Sequence, residues 1–68
     1  MNTKEAVEHV MKEKGLTNYA LCKSLDMSPT SGTQWVKGTR MSDKTAEKFT
    51  SIYGIEIDDA FSTSNRSS

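Results

Sequence analysis

Apolar residues recur three and four positions apart in several segments of this chain, the spacing that places side chains on one face of a helix. Asn2 or Thr3 can cap the first such helix, which we expect to run to about Lys14, with Gly15 as its stop. Its repeated apolar positions are Ala6, Val7, Val10 and Met11. This face is therefore expected to lie in the core.

A second helix is predicted to begin after Thr17, whose hydroxyl can cap it. Its inward positions are Leu21, Cys22 and Leu25. We expect Asp26 to end it, because a residue between two steeply angled helices usually takes left-handed backbone geometry. Glycine adopts that geometry most easily, and Asp or Asn tolerate it next.

A third helix of about nine residues is predicted between Ser28 and Gly38. Ser28 offers a capping hydroxyl, and Pro29 stands at the one helical position that needs no amide hydrogen. The outward face carries hydrogen-bonding groups and almost no apolar surface; it consists of Pro29, Thr30, Thr33, Gln34 and Lys37. Two short helices joined by a tight turn can present such a face to the major groove of DNA.

A fourth helix is expected to open at Ser42 and Asp43 and to end at Gly54. Its apolar stripe comprises Ala46, Phe49, Thr50 and Tyr53, with Ile52 beside it. The stripe follows the same three-and-four spacing as the first helix. This helix is therefore also expected to pack on the core.

A short last helix is expected from about Asp58, presenting Ala60 and Phe61. The segment after it, STSNRSS, is too polar to pack, and we expect a disordered tail. The chain thus divides into one helix-turn-helix domain over residues 1–61 and a tail over residues 62–68.

Length and charge restrict the class of protein. The chain has 68 residues, enough for one small domain with a core near the lower limit for independent folding. Nine basic and nine acidic residues cancel, whereas a nucleic-acid binder often carries a basic surplus. The distribution is uneven, because the part up to Arg40 has six basic and four acidic residues, a balance of +2, and the rest stands at −2. The basic part thus coincides with the third helix.

The compartment expected from the sequence is a reducing cytoplasm. Cys22 is the single cysteine and cannot form an internal disulfide. No segment approaches the roughly 20 apolar residues of a membrane span, and the first ten residues lack the apolar region of a secretory signal. No cofactor, metal, membrane or small-molecule substrate is expected.

The run from Leu16 to Gly38, LTNYALCKSLDMSPTSGTQWVKG, resembles the helix-turn-helix of the lambda repressor and Cro superfamily, also called the XRE type. It is particularly similar to small phage-encoded regulators. The segment from Gly54 to Asp59, GIEIDD, is similar to the Gly-Val-Ser-x-Asp-Glu segment that ends that family's domain. The resemblance covers residues 7–61 and implies an all-α fold, a compact bundle of four to five short helices containing a DNA-binding helix-turn-helix. The function it implies is a sequence-specific transcriptional regulator that occupies operator sites.

The sequence departs from the family pattern at two positions. Asp26 stands where the family usually has Gly, and Gly32 stands where it has a β-branched aliphatic residue. Gly inside a helix costs roughly 1 kcal/mol relative to Ala. The missing side chain is expected to leave part of the contact with the preceding helix to Trp35 and Met27. Two interpretations stay open: the bulk of Trp35 fills the space, or the third helix adjusts when it binds DNA.

The base-reading residues are expected in the first turns of the third helix, which enter the groove deepest. Thr30 can reach a base edge or a thymine methyl, and Gln34 can make a paired hydrogen bond to adenine. The resemblance points to the same two positions. It adds Pro29 and Thr33 as neighbours of bases or sugar-phosphate, although Pro29 can offer only apolar contact.

The expected contacts with the DNA backbone lie at the edges of the motif. Asn18 matches the family's polar residue that grips a phosphate with its side chain and nearby amides. Lys37, Thr39 and Arg40 are the expected clamps around Gly38. The partner is therefore expected to be a double-stranded operator, and the resemblance implies an inverted repeat bound by a homodimer.

The dimer surface is assigned to Ile55, Ile57 and Phe61, although the same residues could instead close the core. A protein-binding module, such as an antirepressor or an inhibitor of another regulator, is the alternative function, favoured slightly by the neutral charge and by Gly32. An enzyme is the least favoured class, because His9 lies among charged residues and nothing else suggests catalysis. Cys22 and Trp35 are interpreted as packing residues.

Overall fold

The computed structural model describes residues 1–62, and this part of the chain contains four helices. They are α1 (Thr3–Lys14), α2 (Asn18–Ser24), α3 (Pro29–Val36) and α4 (Asp43–Tyr53). No strand forms among these residues, and one isolated parallel bridge joins Ser42 and Phe61. The predicted all-α class is confirmed.

Side-chain caps begin three of the four helices, because the first N–H groups of a helix have no partner within it. Asn2 accepts from the N–H of Glu5 at 2.8 Å, and Thr17 accepts from that of Ala20 at 3.1 Å. Ser42 accepts from the N–H of Thr45 at 3.4 Å. These caps begin α1, α2 and α4 at the positions that the sequence predicts.

The start of α3 corrects one expectation. Ser28 has the extended backbone of a capping residue, with φ −77° and ψ 155°, but its side chain makes no cap hydrogen bond. The expectation that the Ser28 hydroxyl caps this helix is therefore wrong. Pro29 at the first position starts α3 instead, because its ring sets φ for the helix and it has no N–H to satisfy.

The turn between α2 and α3 depends on Asp26. Its φ of 61° is left-handed, and it is the one non-glycine residue with positive φ in the described chain. The N–H of Met27 then bonds to the carbonyl of Cys22 at 2.8 Å, which closes the turn. The expected left-handed geometry at Asp26 is thus confirmed, with an acidic residue where glycine is easiest.

The core is formed by one face of each helix together with the loop before α4. Trp35 is inward, as predicted, with 4% of its surface exposed, and Met41 in the loop is fully buried. The buried apolar residues are Ala6, Val7, Val10, Leu21, Cys22, Leu25, Trp35, Met41, Ala46 and Phe49. Tyr53 completes the α4 stripe by packing its ring on Phe49, with centroids 5.1 Å apart.

The segment after α4 contradicts the predicted last helix. The chain from Ile55 to Phe61 is irregular, and its backbone groups pair with distant residues. The N–H of Phe61 donates to the carbonyl of Met41 at 3.0 Å, and the carbonyl of Phe61 accepts from Asp43 at 2.8 Å. These long-range bonds replace the bonds that a helix would make four residues apart.

Asp59 fixes this C-terminal segment to the start of α1. One of its carboxylate oxygens accepts from the N–H of Thr3 at 2.8 Å and from its hydroxyl at 2.7 Å. Thr3 is almost fully buried, and its Oγ1 also accepts from the N–H of Met41 at 2.9 Å. One hydroxyl therefore links the first helix, the loop before α4 and the C-terminal segment.

Of the residues expected at a dimer surface, Ile55 and Ile57 are half-buried and pack against the core. Only Phe61 is exposed, with 38% of its surface accessible. The first two thus close the core, which is the alternative that the sequence left open.

The expected polar tail lies outside the described residues from position 63 onward. No helix in the described part is long and apolar enough to cross a membrane.

Candidate nucleic-acid interface

The polar face of α3 is free of the core. Thr30, Thr33 and Gln34 are exposed, whereas Gly32 and Trp35 on the other side of the same helix are buried. α3 packs against both α1 and α2 through that buried side. The arrangement leaves the four predicted base-contact residues, Pro29, Thr30, Thr33 and Gln34, accessible together on one surface.

Asn18 connects the first turn of α2 with the first turn of α3. Its amide nitrogen donates to the carbonyl oxygen of Pro29 at 2.8 Å and to Thr33 Oγ1 at 3.3 Å. Its Oδ1 lies 3.7 Å from the thiol of Cys22, which can donate to it. The predicted phosphate contact of Asn18 would therefore use its main-chain N–H or require the side chain to leave α3.

Gly32 lies directly below the Asn18 side chain. A Cβ at position 32 would lie 1.8 Å from Asn18 Oδ1 and 2.6 Å from Cys22 Sγ, distances that real side chains do not tolerate. The expectation that Trp35 and Met27 fill the space is therefore wrong. Asn18 and Cys22 occupy it, and glycine lets α2 and α3 approach closely enough for them to do so.

The hydroxyl of Thr33 makes its hydrogen bonds with residues of the helix-turn-helix itself. Oγ1 accepts from Asn18, as above, and donates to the carbonyl of Pro29 at 3.4 Å. The latter is the bond to the preceding turn that threonine commonly makes in helices. Thr33 is thus exposed, but its hydroxyl is turned toward the helix backbone.

The predicted backbone clamps lie after α3. Lys37, Thr39 and Arg40 are all exposed, and the chain turns between them at Gly38, whose φ is 112°. The N–H of Thr39 donates to the carbonyl of Gln34 at 3.0 Å, which holds this turn against the helix. Two cations therefore follow the polar face of α3 directly.

Arg40 is supported by the C-terminal segment. Its guanidinium carbon lies 5.9 Å from the centre of the Phe61 ring, within the range of a cation–π contact. This contact is not evident from the sequence, because the two residues are far apart in the chain and the sequence predicts a helix at Phe61. Phe61 thereby restricts where the Arg40 charge can point.

A second cation–aromatic pair lies on α2 and was missed from sequence. Lys23 Nζ lies 5.7 Å from the centre of the Tyr19 ring, and 59% of the Tyr19 surface is exposed. The signal that could have found it is the four-residue spacing on one helix face. Tyr19 follows Asn18 directly, so the pair borders the predicted phosphate contact.

Cys22 is fully buried, as predicted. Burial raises the pKa of its thiol above the ordinary value of 9.0, and a hydrogen bond with the Gly32 backbone acts in the lowering direction. Desolvation disfavours the thiolate, which is the form that reacts. The residue is thus a packing group between α2 and α3.

No group of three or more His, Cys, Asp or Glu side chains in the described part of the chain could hold a metal ion. A groove of about 480 Å³ between α4 and the C-terminal segment has acidic residues on its wall, namely Asp43, Glu47 and Glu56. None of the predicted DNA-contact residues lines this groove.

Comparison with protein-family models matches residues 7–65 to the Cro/C1-type helix-turn-helix DNA-binding domain. The chain belongs to this family. The resemblance inferred from Leu16–Gly38 is confirmed, and a DNA-binding regulator is the general function that membership supports. Comparison with curated proteins and with solved structures returns no match. In a Cro/C1-type domain the second helix of the motif lies in the major groove, and here that helix is α3.

Proposed function

We propose that this protein is a sequence-specific transcriptional regulator of the repressor type, which acts by occupying operator sites through α3. The observation that supports this most is the exposure of Thr30 and Gln34 on the helix whose other side is buried at Trp35. Side chains that protrude from a firmly packed helix can reach base edges without a change of fold. The mechanism is occupancy of the site and involves no chemical step.

The proposed base readers are the four exposed residues of α3. Gln34 can accept and donate to adenine in a paired hydrogen bond, and Thr30 can contact a base edge or a thymine methyl. Pro29 contributes apolar contact at the start of the helix, and Thr33 lies between Pro29 and Gln34 at the base-facing surface. Together they would read a few successive base pairs of one half-site.

The proposed backbone contacts surround this surface. Lys37 and Arg40 supply charge, Thr39 a hydroxyl, and Asn18 the N–H groups at the start of α2. Two cations after α3 neutralise few phosphates, so one subunit is expected to bind weakly and with a shallow dependence on salt. Two subunits on one operator would double the number of these contacts.

We propose that a homodimer binds an inverted repeat. Two recognition helices would then lie about 34 to 36 Å apart, one turn of duplex. Because Ile55 and Ile57 pack against the core, Phe61 is the remaining apolar residue of the proposed dimer surface. The activity is placed in the cytoplasm of a bacterial or phage-infected cell, which suits a single cysteine that remains a free thiol.

Selection of bound sequences from a random duplex pool, combined with the mass of the complex in solution, tests the proposal. A palindromic site bound by two subunits is the expected result. Gln34→Ala should then change the preferred base at one position of each half-site and cost about 1 to 3 kcal/mol in affinity. Ser51→Ala, an exposed change on α4, serves as the matched control and should leave both unchanged.

Two outcomes would contradict the proposal. Absence of binding to every duplex at low salt would exclude operator recognition and favour the protein-binding alternative. Binding with no base preference, unchanged in Gln34→Ala, would show that α3 does not read sequence.

A further inference from the structure

The orientation of Thr33 distinguishes it from the other polar residues of α3. Its hydroxyl donates to the carbonyl of Pro29 and accepts from the Asn18 amide, so its single proton and one of its two lone pairs are already used. The side chain nevertheless lies on the exposed surface of the helix. What remains available to a ligand is the Cγ2 methyl group and one lone pair of Oγ1, which can accept a hydrogen bond but not donate one.

Asn18 makes this orientation specific. A threonine side chain in a helix has two accessible rotamers, because its hydroxyl can bond to the preceding turn in either of them. The Asn18 amide adds a second, directional contact at 3.3 Å from the neighbouring helix. This contact in turn needs Gly32, since any Cβ there would displace the Asn18 side chain.

We propose that Thr33 reads a pyrimidine that carries a C5 methyl group, which is thymine in ordinary DNA, through its own methyl, and that Asn18 is a positioning residue for this contact. The inference depends on the proposed operator function and assigns one specificity within it. The thymine methyl is the apolar feature of the major groove, and a methyl group of the protein is its natural partner. The hydroxyl proton of Thr33 is already donated to the carbonyl of Pro29, so it is not available to an acceptor on a base.

The test compares thymine with uracil, which differ only by the C5 methyl. In the operator selected by the wild-type protein, each thymine is replaced in turn by deoxyuridine and the affinity is measured. One position per half-site is expected to lose about three- to fivefold in affinity, the effect of removing one buried methyl. Thr33→Ser, which keeps the hydroxyl and lacks the methyl, should bind the thymine and uracil operators equally at that position.

Two further variants separate the methyl from the hydroxyl. Thr33→Val keeps a methyl and lacks the hydroxyl that accepts from Asn18, so it should still prefer thymine, but by the same reduced margin as Asn18→Ala. Asn18→Ala should reduce that preference at the same position while leaving the uracil sensitivity of other positions unchanged. A purely structural role for Asn18 would instead weaken binding to all operators alike.

The outcomes distinguish this inference from the function on which it rests. If the wild-type protein selects no operator, the proposed function fails. If it selects an operator, and Thr33→Ser discriminates thymine from uracil as the wild type does, the function stands and the methyl contact is refuted. An Asn18→Ala variant that prefers thymine as strongly as the wild type would refute the positioning role of Asn18.

Discussion

The side chain of Asn18 occupies the space that a side chain at position 32 would need. A Cβ on Gly32 would lie 1.8 Å from Asn18 Oδ1, and the Asn18 amide bonds to α3 on either side of this glycine, at Pro29 and Thr33. Gly32 thus weakens α3 by its low helix propensity, but it also allows Asn18 of α2 to form hydrogen bonds with α3. The departure from the family pattern at Gly32 has a structural reason.

Gly32→Ala is expected to destabilise the protein by about 1 to 3 kcal/mol, because the methyl group overpacks the contact with α2. This result opposes helix propensity, which alone would stabilise by about 1 kcal/mol. Urea denaturation followed by circular dichroism measures it. In an Asn18→Ala background the loss should be smaller, since two of the three shortest contacts are with Asn18. A stabilising effect of Gly32→Ala in the wild-type background would contradict the close packing.

Asp59 and Asp58 are adjacent carboxylates with different expected effects. Asp59→Ala leaves the N–H and hydroxyl of Thr3 without their acceptor and should cost about 1 to 3 kcal/mol of unfolding free energy. Asp58 pairs with the N-terminal amine at 3.4 Å and its side chain is 70% exposed, so Asp58→Ala should change little. Chemical denaturation of both variants provides the comparison. Equal losses would mean that the C-terminal segment is not held through Thr3.

Cys22 should make the stability fall at alkaline pH. Because burial raises its pKa in the folded protein, the folded state holds the proton more tightly than the unfolded state, whose thiol has the ordinary value of 9.0. The resulting stability is complete below that value and is lost as the pH rises through the folded pKa. Denaturation from pH 8 upward should show a steeper decline for the wild type than for Cys22→Ala, in which this group is absent. Identical slopes would contradict a neutral buried thiol.

The same cysteine should resist alkylation. Its side chain is fully buried, so iodoacetamide should modify it in the folded protein only as fast as the protein opens. In urea the reaction should reach the rate of a free thiol. Mass spectrometry of timed samples measures both rates. Rapid modification of the folded protein, with circular dichroism unchanged, would show that the contact between α2 and α3 is open.

Lys37 and Arg40 should determine the salt dependence of operator binding. Removing either charge by substitution with Ala is expected to lower the slope of log affinity against log salt by about 0.9, the value for one phosphate contact, without altering base preference. Lys4, which pairs with Glu8 at 3.3 Å on α1, gives the control variant Lys4→Ala. Affinities measured at several salt concentrations yield the slopes. A shifted base preference in Lys37→Ala would assign that residue to base reading instead.

The sequence predicted the features of this fold that depend on neighbours along the chain. The periods of α1 and α4, the caps at Asn2, Thr17 and Ser42, and the left-handed turn at Asp26 all follow from interactions within a few residues. Exposure of Gln34 followed from its place on the outward face of the helix, and burial of Trp35 from the apolar position that it holds in the family pattern. These interactions are local, so composition and spacing are sufficient to indicate them.

Tertiary structure alone decided the features that depend on distant residues. The segment around Asp59 and Phe61 is irregular because its polar groups bind to Thr3, Met41 and Asp43, a gain that outweighs local helix formation. The space above Gly32 is filled from α2, and the Thr33 hydroxyl is bonded by a side chain fifteen positions away. Packing between helices determines which partner satisfies a polar group and which side chain fills a gap. The spacing of residues along one helix does not predict either.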